Sequence, residues 1–79
     1  MHEYNYKKIG QRIRLERRNA GFSRQEDFAK ALGLSESSRQ TIGKWENGKL
    51  LPSLDDFFNM CKLFNCELGY LLCEYDYKT

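Results

Sequence analysis

The sequence predicts an all-α fold, a compact five-helix bundle. Three observations carry this. Apolar residues recur with helical spacing in successive segments, no segment alternates with period two for long, and Gly, Ser or Asn punctuates the segments where helices start and stop.

The first helix runs from about Tyr6 to Ala20. Ile9 and Ile13 lie at i and i+4, with Lys8, Arg12, Arg14 and Arg18 around them, and Gly21 follows as the stop. A second helix begins at Ser23, where Ser23-Arg24-Gln25-Glu26 matches the capping box S-x-x-E. There the hydroxyl and the carboxylate satisfy reciprocal orphan amides. The helix continues through Phe28, Ala29 and Leu32 to Gly33. The polar connector Gly33-Leu34-Ser35-Glu36-Ser37-Ser38 follows, and Ser37 and Ser38 compete to cap the third helix.

Residues 38–49 read as that third helix. Arg39, Gln40 and Lys44 fall at i, i+1 and i+5, which keeps them on its outward half, while Ile42 and Trp45 occupy the other. Arg and Gln side chains pair in two places with guanine and adenine edges, so the pattern suits a major-groove probe. The plainer reading is an amphipathic helix with a solvated polar face. Asn47-Gly48 ends it.

Ser53 caps a fourth helix, whose first turn carries Asp55 and Asp56 against the helix dipole. Leu54, Phe57, Phe58, Cys61 and Phe64 recur at i, i+3, i+4, i+7 and i+10, the best helical period in the chain. This face should supply the main core surface. After a break at Asn65, residues Glu67 to about Tyr75 form a short fifth helix with Leu68, Leu71 and Leu72 on one side. One domain spans residues 1–79, with 1–5 a mobile arm and 73–79 a tail. The tail lacks a clear stop signal, as a cut within a longer protein would leave it.

At 79 residues, 41% hydrophobic and 30% charged, the chain is a small globular domain near the lower limit for a core without staples. Short apolar runs exclude a membrane span or secretory segment, which points to the cytoplasm. Residues 1–50 hold 11 Lys/Arg against 6 Asp/Glu, and residues 51–79 hold 2 against 5. A basic front half suits a surface that meets a polyanion. Cys61, Cys66 and Cys73 contain no C-x-x-C pair and the one histidine is His2, so no metal site is expected. Cys61 and Cys66 fall among apolar residues, where cysteine packs as a small hydrophobe, and Cys73 could be exposed.

Together these segments resemble the helix-turn-helix DNA-binding domain of the phage repressor and Cro type, the XRE family. The resemblance rests on Ile9-Gly10 to Gly21, Gln25-Glu26-x-Phe28-Ala29-x-x-x-Gly33, Ser38 to Lys49, Pro52-Ser53-Leu54 and Leu68-x-x-Leu71-Leu72, in this order. It implies the lambda-repressor-like arrangement, with helix two across the DNA backbone and the N-terminal end of helix three in the major groove. By that resemblance Arg39, Gln40 and Lys44 read bases, with Gly43 leaving room beside them. Ser38 and Thr41 touch phosphate or cap the helix, and Lys49 is a further phosphate contact. The resemblance also pairs Arg17 with Glu46, locking helix one onto the end of helix three.

Two departures stand out. Nine positions separate Gly33 from Ile42, three more than in the usual motif, and the surplus lies within Leu34 to Ser37. An extension this small costs roughly 1 kcal/mol or less in loop entropy. It adds a DNA contact through Ser35 or Ser37, or else clashes, and Glu36 would oppose phosphate. The segment Phe22-Ser23-Arg24-Gln25 is one residue longer than the usual pattern, so either Arg24 or Gln25 takes the phosphate-binding role at the start of helix two. The spacing to Ala29 favours Gln25.

The expected function is a sequence-specific DNA-binding transcriptional regulator, most simply a repressor, acting on double-stranded DNA without a cofactor. High affinity from so small a module would require a homodimer, for which the end of helix five, with Tyr70, Cys73 and Tyr75, is a candidate surface. The alternative is a protein-interaction module, antitoxin-like or adaptor, built on the same fold. An enzyme is not expected: the chain offers no ligand cluster and no nucleophile–base pair.

Overall fold

In the computed structural model, which describes residues 3–35 and 38–78, α1 (Tyr6–Asn19) opens under an Asn5 cap. The Asn5 side chain accepts from the Lys8 N–H at 3.0 Å. Among the described residues the remaining elements are also helices: α2 (Gln25–Ala31), α3 (Arg39–Glu46), α4 (Leu54–Phe64) and α5 (Leu68–Leu71). None is long and apolar enough to cross a membrane. Of the expected N-terminal arm, Met1 and His2 lie outside the described residues, while the Tyr4 hydroxyl donates to Glu74.

One apolar core joins all five helices. Ile9 and Ile13 of α1, Phe28 and Ala29 of α2, Ile42 and Trp45 of α3, Phe57, Met60 and Phe64 of α4 and Leu71 of α5 are buried together. Phe28 stacks on Phe64, with centroids 5.5 Å apart and planes 11° apart, and Phe22 tilts against Phe28 at 5.9 Å. Ala29 is fully buried where α2 meets α3, as its small size requires. Cys61, Cys66 and Cys73 are half-buried against this core.

α1, α2, α3 and α5 close by the same pair of back-bonds from the residues after their last turn, whereas after α4 the Asn65 and Cys66 N–H groups both bond Cys61 O. After α2, Gly33 N–H bonds Lys30 O and Leu34 N–H bonds Ala29 O, with Gly33 left-handed at φ 77°. After α4 and α5 the left-handed residues are Asn65 (φ 54°) and Cys73 (φ 63°), side chains that adopt this region at a cost. The closure at Cys73 makes α5 shorter than the span to about Tyr75 that its leucines imply. Cys73 N–H bonds Tyr70 O and Glu74 N–H bonds Gly69 O, turning the chain out of the helix.

The residues after α5 fold back onto α1. Arg12 Nη1 donates to the Tyr70 and Tyr75 carbonyls at 2.8 and 2.7 Å, and its Nη2 to Asp76 at 3.0 Å. The same guanidinium lies 4.4 Å over the Tyr70 ring. Lys78 Nζ and the Tyr70 hydroxyl both donate to the buried carboxylate of Glu16, at 2.7 and 2.9 Å. Tyr70 is therefore buried within the monomer and unavailable as a dimer surface, contrary to the sequence expectation. Tyr75 is half-buried, its hydroxyl donating to Glu67 at 3.0 Å.

Three further expectations are corrected. The Ser23 capping box does not form. Arg24 occupies the N-cap position of α2 without a side-chain bond, and Arg17 Nη1 holds the Phe22 and Ser23 carbonyls at 2.7 and 3.0 Å, fixing the turn by another route. Ser38 does not cap α3: its backbone is already helical (φ −77°, ψ −1°), and its hydroxyl meets that of Ser35 at 3.2 Å. The helix ends at Glu46, with Asn47 as its C-cap and Gly48 left-handed at φ 74°, as the Asn-Gly stop implies. On α4, Leu54 and Phe58 are exposed, and Met60 takes the core position instead.

The α4 cap does form. Ser53 Oγ accepts from the Asp56 N–H at 3.1 Å. Ser53→Ala is expected to lower stability by about 1 kcal/mol, read as a shift in the urea midpoint, because it orphans that amide. A midpoint that does not move would mean water replaces the cap fully.

Candidate nucleic-acid interface

The site is built on α3. Ile42 and Trp45 are buried, which fixes the rotation of this two-turn helix and turns Arg39, Gln40 and Lys44 outward, all exposed. Among the described residues, neither Arg39 nor Lys44 is ion-paired, so their donors are available to a ligand. Thr41 and Ser38 are half-buried, and Lys49 is exposed just past the helix, its backbone N–H closing the helix on Lys44 O at 2.9 Å. Arg24 is exposed at the start of α2, 3.7 Å from Glu26. Glu36 and Ser37, in the extended connector, lie outside the described residues.

The C-terminal end of α3 is held by a buried polar cluster. Arg17 Nε and Nη2 donate to Glu46 Oε2 and Oε1 at 2.7 and 3.2 Å, the forked pairing that the resemblance implied, and both side chains are only 4% exposed. Gln25 Nε2 donates to the same Glu46 Oε1 at 3.1 Å. One carboxylate thus ties together α1, the first turn of α2 and the last turn of α3. Gln25 spends one amide proton on this tie. It also packs along Gly43, where a Cβ would sit 3.7 Å from Gln25 Oε1.

Gly10 was visible in the sequence only as part of a motif. In the fold it is where α1 crosses the end of α3: a Cβ there would stand 2.3 Å from Trp45 O and 2.6 Å from Glu46 O. A glycine inside an amphipathic helix costs about 1 kcal/mol relative to alanine, and that cost is the sequence signal of a close approach. Arg12 and Glu16 were missed as well. Each looks like an ordinary helix-surface charge until the residues after α5 return to cover them.

The resulting surface presents cationic and amide side chains from one short, rigidly seated helix, beside the start of a second. Such an arrangement offers bidentate donors to base edges and point charges to phosphates.

Comparison with known proteins agrees with this reading. The helix-turn-helix family profile matches residues 13–71. No curated protein sequence matches at a significant level. Among solved structures, the P22 c2 repressor protein, in complex with a synthetic operator, is 28% identical with a TM-score of 0.70, covering 85% of this chain and 96% of its own. The restriction-modification controller protein C.AhdI from Aeromonas hydrophila is 32% identical with a TM-score of 0.69, covering 84% and 94%. The solution structure of the P22 c2 repressor DNA-binding domain is 29% identical with a TM-score of 0.67, covering 86% and 84%. The order of helices, the buried Ile42 and Trp45 beneath an exposed polar face, and this match over most of its length place the chain in the helix-turn-helix family of phage-repressor-type DNA-binding transcription regulators.

Proposed function

We propose that the chain is a sequence-specific repressor that inserts α3 into the major groove of double-stranded DNA and occupies an operator. Arg39, Gln40 and Lys44 read base edges. Arg24, Gln25, Ser38, Thr41 and Lys49 position the domain on phosphates, with Gln25 using the amide proton that Glu46 leaves it. The observation that carries this reading is the seating of α3: its inner face is buried through Ile42 and Trp45 while three long polar side chains project from the other. The operator complex of the P22 c2 repressor supports it. One such module covers little DNA, so two copies binding as a homodimer over half-sites about 34 Å apart supply the affinity.

Selection of bound duplexes from a random pool gives the operator, and binding is then compared on operator and random DNA. Arg39→Ala is expected to cost about 1–3 kcal/mol on the operator and to relax preference at one position. Lys49→Ala should weaken all sequences alike and reduce the salt slope by about 1. Equal losses for Arg39→Ala on both duplexes would remove it from the base readers. Binding insensitive to salt would overturn the DNA reading itself.

A further inference from the structure

The closure of α4 brings two thiols together. Cys66 N–H donates to Cys61 O at 3.1 Å across the left-handed Asn65. This back-bond puts the side chains of its first and last residues in contact, ordinarily an apolar contact. Here both are cysteines. Neither is sealed in the core. Both are half-buried and line one surface groove with Asp55, Phe58, Asn59 and Lys62. Cys73 lines a different groove, beside Lys8, Arg12 and Asp76.

We infer that Cys61 and Cys66 form a dithiol site that hydrogen peroxide oxidises to an intramolecular disulfide within the folded domain. A disulfide requires its two Cα atoms within a few ångströms, and the back-bond already imposes that approach. The Cys61 thiolate attacks a peroxide oxygen, the O–O bond breaks, and Cys61 becomes a sulfenic acid as one water leaves. The Cys66 sulfur then attacks the Cys61 sulfur. The displaced hydroxide takes the Cys66 proton and departs as a second water, so two thiols give up the two electrons that the peroxide gains.

Burial pushes both thiols up, Cys66 to about 11, and the neighbouring Cys66 thiol opposes this rise at Cys61. Cys61 is therefore the first to attack. Because only the thiolate is nucleophilic, the rate should climb about tenfold per pH unit through the neutral range. The product ties the end of α4 covalently to the residue before the Glu67 N-cap of α5.

The test treats the whole reduced protein with hydrogen peroxide in mildly alkaline buffer, well below its melting transition, followed by alkylation. The expected product is a monomer lighter by two hydrogens, with one alkylatable thiol, reverting on reduction. Trypsin cleavage after Lys49, Lys62 and Lys78 should give peptide 50–62 joined to peptide 63–78. Cys73→Ser should react as the parent does, which assigns the link to Cys66. Cys61→Ser and Cys66→Ser should each abolish the intramolecular product. Three alkylatable thiols after oxidation, a link through Cys73, or disulfides only between chains would each overturn the inference.

Discussion

Glu46→Ala is expected to destabilise the domain by about 3–5 kcal/mol. The loss comes less from the attraction that disappears than from the charge left behind. Arg17 is 4% exposed, and without Glu46 its Nε and Nη2 face a cavity, while Nη1 remains on the Phe22 and Ser23 carbonyls. Gln25 loses its acceptor in the same step. For a domain of this size each kcal/mol shifts Tm by about 4–8 °C, so thermal unfolding should move by about 12 °C or more. Replacing both partners with apolar residues, Arg17→Met with Glu46→Leu, should recover much of the loss because no buried charge is stranded. An unchanged Tm for Glu46→Ala would sink this account. The consequence for function is orientation, since the pair fixes the end of the helix that carries Arg39, Gln40 and Lys44.

Gly10→Ala is expected to cost about 2–3 kcal/mol net, although alanine is the better helix former by about 1 kcal/mol. The added Cβ meets Trp45 O at 2.3 Å and Glu46 O at 2.6 Å, backbone atoms that have no rotamer to escape into. The seam between α1 and α3 must open, and with it the bidentate pair. Gly43→Ala is the internal control. It also lies inside a helix, but its Cβ meets only Gln25 Oε1 at an ordinary 3.7 Å, so it should be neutral or gain up to about 1 kcal/mol. Opposite signs for the two variants, measured by urea denaturation, are the expected outcome. A Gly10→Ala protein as stable as the parent would mean that the helices part without cost.

The legible part of the fold was whatever local chemistry encodes. Asn65 and Gly33 stop their helices as their backbone preferences require, and Ser53 caps α4. The seating of α3 was legible too, because Ile42 and Trp45 share one side of a short helix with a polar opposite side. The facing of α4 was not. Met60, Phe64, Phe57, Cys61, Leu54 and Phe58 form one apolar arc opposite Asp55, Asp56, Asn59 and Lys62, but the arc is wider than the core contact, so periodicity alone does not say which part of it is buried. The Ser23 box failed for a related reason. A capping motif states a local preference, and Arg17, reaching over from α1, held the Phe22 and Ser23 carbonyls in a competing arrangement.

Sequence by itself determined the helices, their order, the family and the exposed polar face of α3, since each follows from side chains within a few residues of one another. Tertiary structure decided the rest. It set which side of α4 meets the core, why Gly10 must be glycine, how Glu46 serves three helices, and how Arg12 and Glu16 hold the residues after α5. These depend on groups far apart in the chain meeting in a low-dielectric interior, where one backbone clash or one unpaired charge outweighs any local propensity.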